Sequence, residues 1–177
     1  MPTTIDHAEP LEATAESLLG PLPANMEQLS QLLLAANAAG ESGQTLADTK
    51  GLAAAELHGL YDIALSLCDQ RQWSAALLIA LQLAMHDPRN ARFLFLAGMC
   101  LQHMQEFQAA ASLFGLCLID QEEPIYVFRM AECLAASGAF APAREAFETC
   151  HELCRGRFEL RDMQDACADA LTLLTSH

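Results

Sequence analysis

A chain of 177 residues is long enough for one domain with a sizeable core, plus short tails. Its net charge of −14, carried against one lysine (Lys50) and eight arginines, leaves it without the cations that bind phosphate, so neither nucleic acid nor an anionic membrane surface is an expected partner. Apolar residues make up 53% of the chain, rich in alanine and leucine, which points to an all-α fold.

Residues 1–24 are acidic and broken by Glu9-Pro10, Pro21 and Pro23, and read as a mobile N-terminal segment. They lack the basic head and apolar centre of a signal peptide. The seven cysteines, an odd number scattered along helical faces, suit reduced thiols in a cytosol better than a disulfide framework. The longest nearly apolar run, Ala109–Ile119, is eleven residues with Ser112 inside it, well short of the about 18–20 that span a bilayer.

Residues 25–56 form an N-terminal helical region. Asn25 offers a helix N-cap and Gln28 its capping-box partner. Met26, Leu29, Leu32, Leu33 and Ala36 fall on one stripe, which predicts an amphipathic helix over 26–39, ended by Gly40-Glu41-Ser42-Gly43. A second helical stretch starts near Thr45 and breaks at Gly51. So leucine-rich a face must be buried, on the domain itself or on another chain.

The next hundred residues repeat. Trp73, Phe107 and Phe140 lie 34 and 33 residues apart, and each is followed three residues later by an alanine: Ala76, Ala110, Ala143. Leu67, Leu101 and Leu134 precede the aromatic residue by six, and Ala64, Gly98 and Ala131 precede it by nine. A period near 34 with this pattern of small and aromatic residues resembles the tetratricopeptide repeat. Three copies cover 57–157, as 57–90, 91–123 and 124–157. The small residues Gly98 and Ala110 predict a close backbone approach within the second helix pair. The first helix should run about Leu52–Gln70 and the second Trp73–His86, with Asp87-Pro88 as the turn. Ser137-Gly138 stops a helix in the third copy, and Pro142 is tolerated in the first turn of the helix after it. One helix pair cannot bury its apolar stripe alone, so the three stack into an α-solenoid whose first helices line the concave side. Residues 158–177 supply a C-terminal capping helix, about Phe158–Leu174, with Leu160, Met163, Cys167, Ala170, Leu171 and Leu174 inward and Asp162, Asp165 and Asp169 outward.

The concave positions follow from helical spacing. They are His58, Tyr61, Leu65 and Cys68; then Arg92, Phe95, Met99 and Gln102; then Ile125, Phe128, Glu132 and Ala135. An apolar stripe is ordinarily core. Here each first helix already has one packed stripe (Leu60, Ile63, Ala64 and Leu67 in the first copy), so the second is surplus and marks a groove. Arg92 suits either a carbonyl or carboxylate of a guest or a solvated surface position. Trp73, Phe107 and Phe140 are read as packing between helices, and His86 and His103, near loops, as solvated. Cys150-His151-x-x-Cys154 holds three soft ligands, but no second pair closes a tetrahedral shell, so no metal or cofactor is expected. No nucleophile, base and carboxylate stand in a catalytic pattern.

Several strings carry a more specific resemblance: Leu60-Tyr61-Asp62-Ile63-Ala64 in the first copy; Arg92-Phe93 with Gly98-Met99-Cys100 in the second; and Glu123-Pro124, Phe128, Ala131-Glu132-Cys133-Leu134 and Gly138 in the third. With the leucine-rich N-terminal helix, they make residues 26–174 similar to the class II chaperones of bacterial type III secretion. The resemblance implies a non-enzymatic, cytoplasmic bacterial protein that keeps two hydrophobic translocators soluble before export. The guest's extended segment would lie against Tyr61, Leu65, Cys68, Phe95, Met99 and Phe128. It also implies a homodimer formed through the N-terminal helical region (Met26, Leu29, Leu32, Leu33), and, in some members, binding of a transcriptional activator. A needle-subunit chaperone or a general tetratricopeptide-repeat adaptor is the alternative. An adaptor that clamps a terminal carboxylate needs cationic residues where Tyr61 and Leu65 stand.

Overall fold

The computed structural model describes residues 54–119 and 121–175, together with the isolated residue 31. The predicted helix over 26–39, its dimer stripe and the Thr45–Gly51 stretch lie outside the described residues. Among the described residues from 54 on, seven α-helices follow one another: α1 Ala54–Asp69, α2 Trp73–His86, α3 Ala91–His103, α4 Phe107–Cys117, α5 Pro124–Ala136, α6 Phe140–Cys154 and α7 Arg161–Leu174. Each packs chiefly on its predecessor and its successor, which is the arrangement of a solenoid built from three helix pairs and one added helix. The all-α repeat fold expected from the sequence is the fold observed.

The repeated columns explain the stacking. Leu60, Ala64 and Leu67 on α1 are buried, as are Leu94, Ala97 and Leu101 on α3 and Val127 and Ala131 on α5. The second helices return Ala76 and Ala80, Ala110 and Phe114, and Ala143 and Phe147 to the same interior. One apolar cluster fills the first two pairs, and a second joins α5, α6 and α7 around Phe147, Cys150 and Cys167. Leu118, Met130 and Leu134 pack against both, so the core is continuous along the array.

The turn inside each pair is the same turn three times. Gln72 N–H donates to Leu67 C=O, Glu106 N–H to Leu101 C=O and Ala139 N–H to Leu134 C=O, each at 2.9 Å. The preceding residue must then take a left-handed conformation, and Arg71 (φ 60°), Gln105 (φ 65°) and Gly138 (φ 82°) do so. Only the third copy uses the glycine that this geometry favours.

Four sequence expectations need correction. The space beside Gly98 is occupied by the ring of Phe114 rather than by the backbone at Ala110. His86 is buried, not solvated, because it falls on the inward face of α2 with Ile79 and Leu83. Phe140 is 46% exposed, beside a cleft it shares with Leu174, because a single helix rather than a further pair follows the last repeat. The final helix begins at Arg161. Phe158–Leu160 form a 3-10 turn that leaves Phe158 exposed. His103 is exposed as expected, but its ring stacks on Trp73, with centroids 4.0 Å apart and planes within 7°.

Candidate peptide-binding groove

Helical spacing places the surplus stripe on α1, α3 and α5, one turn away from the packed stripe. Tyr61, Cys68, Phe95, Met99, Gln102 and Phe128 are all half-buried there, and Leu65 is 38% exposed. Tyr61, Cys68, Phe95 and Met99 pack against the first core cluster and Phe128 against the second, yet each stays partly open, so apolar surface remains exposed along these helices.

Aromatic contacts hold these side chains in place. Phe95 lies between Phe114 and Tyr126, with ring centroids 5.5 and 5.4 Å away, both tilted. Phe128 meets Phe147 edge-on at 5.9 Å. Tyr61 tilts against the buried Phe93 at 5.6 Å, and the Arg92 guanidinium lies over the Tyr61 ring, 4.7 Å from its centre. Arg92 is exposed and turned onto Tyr61, a contact its sequence position did not foretell.

Polar groups mark one end. Gln102 Nε2 donates to Glu132 Oε2 at 3.3 Å, and Arg129 Nη1 donates to the same oxygen at 2.9 Å. The sequence reading missed Arg129 and Tyr126. The Arg129-x-x-Glu132 spacing was available as an i,i+3 pair, whereas Tyr126 sits at a position filled by Phe93 one repeat earlier and by Gly59 in the first, so no column flagged it.

Among the described residues no group of His, Cys, Asp and Glu is arranged to hold a metal ion. Cys150 and Cys154 are buried, with Cys150 Sγ 3.4 Å from Pro124 O. Burial pushes the thiols of Cys117 and Cys133 up to about 12 and about 11. These are packed, protonated groups, poor both as nucleophiles and as ligands. Cys68, the least buried, lies with its Sγ 3.6 Å from Cys100 Sγ, and burial raises both thiols. No described helix is long and apolar enough to cross a membrane.

Fold and candidate groove together make a helical-repeat scaffold with a surplus apolar stripe along its first helices. The solved structures it is similar to give that scaffold a more particular character. The type III secretion translocator chaperone SycD of Yersinia enterocolitica superposes with a TM-score of 0.67 at 24% identity, over 73% of this chain and 98% of that one. SycD has also been crystallised with a peptide of the translocator YopD. A type III secretion complex from Aeromonas hydrophila superposes at 0.73 with 25% identity, over 80% of this chain and 95% of that one. In sequence, the low calcium response locus protein H of Yersinia pestis is 24% identical over 132 residues, 74% of this chain and 79% of that protein. No family model matches the chain. The resemblance to translocator chaperones read from the sequence is borne out by these neighbours.

Proposed function

We propose that this protein is a cytoplasmic, non-enzymatic chaperone of type III secretion translocators. It holds an extended apolar segment of the guest along α1, α3 and α5 and so keeps the guest soluble and unassembled until export. One observation supports this most: a second apolar stripe, with Tyr61, Phe95 and Phe128 half-open, on a fold shared with SycD, whose partner is a translocator peptide. Tyr61, Leu65, Cys68, Met99 and Phe128 supply the apolar floor around Phe95. Arg92 and Gln102 are the polar groups beside it, and an extended guest leaves backbone carbonyls and N–H groups for such partners.

The charge distribution fits. The floor carries few ionic groups, and a chain of net charge −14 repels acidic cytosolic proteins and stays soluble while its groove is open. The test is co-expression with a pair of type III secretion translocators. Soluble one-to-one complexes that fall apart when Phe95 is replaced by Asp are expected. Translocators that aggregate equally with and without this chain would overturn the reading.

A further inference from the structure

Six of the seven cysteines are buried, and Cys68 alone is half-open. It stands on the last turn of α1, with its Sγ 3.6 Å from that of Cys100 on α3. These are the first helices of successive repeats, and they touch directly. The repeat itself does not require two sulfurs here: one copy on, the equivalent positions hold Gln102 and Cys133. Elsewhere the buried thiols face backbone oxygens, as Cys117 does at Leu113 O (3.3 Å) and Cys150 at Pro124 O (3.4 Å).

Cys68 can also be reached. It lines a cleft of about 510 Å3 together with Asp69, Arg71, Trp73 and His103, roomy enough for a small hydroperoxide. Cys100 is fully buried. One accessible sulfur thus touches an inaccessible one, which is the arrangement of a reacting thiol and a resolving thiol.

We infer that Cys68 and Cys100 are a redox modification site, closing to an intramolecular disulfide when a hydroperoxide enters the cleft and reopening with a dithiol reductant. The Cys68 thiolate attacks one peroxide oxygen. An S–O bond forms, the O–O bond breaks, and the leaving hydroxide takes up the proton that Cys68 released, giving water and a sulfenic acid. Cys100 Sγ then attacks Cys68 Sγ. The S–S bond forms, the S–O bond breaks, and the Cys100 proton leaves with the hydroxide as a second water. With hydrogen peroxide, the two thiols lose two electrons and two protons and the peroxide becomes two waters.

Burial raises both thiols, so the first step is slow and the pair stays reduced while peroxide is scarce. Contact favours the second step. The sulfurs need to close by only about 1.5 Å to reach the bond length of about 2.05 Å, and no encounter is required. The bond closes a loop that contains α2, and it pins the first repeat to the second beside the candidate groove.

Hydrogen peroxide tests this on the reduced full-length protein, which is then denatured, alkylated with iodoacetamide and sequenced by mass spectrometry without reduction. A Cys68–Cys100 link is expected, with the other five cysteines alkylated, and dithiothreitol should reopen it. The linked form should melt at least about 3 °C higher by circular dichroism, as a crosslink that fits the native spacing does. Three results would each overturn the inference: Cys68 as sulfinic acid beside an alkylated Cys100; Cys68 still alkylated when glutathione in a parallel tube is fully oxidised; or a link that lowers the melting temperature. The Cys68→Ser variant should keep its six remaining thiols at the same dose, and thiol loss equal to that of the wild type would contradict the site as well. None of these outcomes touches the groove assignment, which guest binding tests separately.

Discussion

The ring of Phe114 fills the place where any side chain at position 98 would have to go: a Cβ built on Gly98 comes 2.7 Å from Phe114 Cε1. Phe114 is fully buried and also touches Phe95, a residue of the proposed groove floor. The helix pair that organises the molecule is thus fixed by an absent side chain, and the groove floor stands on the same contact.

Gly98→Ala is therefore predicted to destabilise the fold by about 1–3 kcal/mol despite alanine's better helix propensity, because overpacking against an enclosed ring outweighs the propensity gain. Gly59→Ala, where nothing lies within 4 Å of the added Cβ, should be neutral or stabilising by up to about 1 kcal/mol. Urea denaturation of the two variants checks the contrast.

The intra-pair turns predict gains. Gln105 and Arg71 hold a left-handed backbone without being glycine. Gln105→Gly and Arg71→Gly should each raise stability by about 1 kcal/mol by removing the crowding of Cβ in that region. Gly138→Ala should lower it by a similar amount. Chemical denaturation midpoints measure all three.

Trp73 is the chain's one tryptophan and stacks on His103 of the next repeat. His103→Ala should cost about 1 kcal/mol and change the Trp73 emission in the folded state. An unaltered spectrum would show that the stack is not populated in solution.

The buried thiols set a pH dependence. Burial raises Cys117 to about 12 and Cys133 to about 11 in the folded state, while the unfolded thiols titrate near 9. Their stabilising effect is fully present below about 9, and is lost as pH rises from there towards 11–12, because the unfolded chain releases protons that the folded one keeps. Denaturation under reducing conditions should show a falling midpoint over that range, flattened in a Cys117→Ala, Cys133→Ala double variant.

The repeat and most helix ends were legible in the sequence because period and turn residues agree. α2 runs Trp73–His86 as the aromatic column and Asp87-Pro88 imply. The groove stripe was legible as surplus apolar residues on helices already provided with a packed face. Its detail was less so. The folding of Arg92 onto Tyr61 depends on the offset between two stacked helices, which no single-repeat pattern encodes. The burial of His86 was masked by its polarity and its place at a helix end. The left-handed turns at Arg71 and Gln105 were hidden because the usual glycine is present only at Gly138. Phe140 fits the repeat column, and only its position in the last copy leaves it exposed.

The groove is tested most directly by calorimetric titration of a translocator's chaperone-binding segment into the wild type and into the Phe95→Asp variant, with helicity followed by circular dichroism. Removing a central anchor of a peptide groove and leaving a carboxylate to be desolvated should weaken binding at least about 30-fold while helicity is retained. Equal affinity in a folded Phe95→Asp variant would contradict the placement of the guest along α1, α3 and α5.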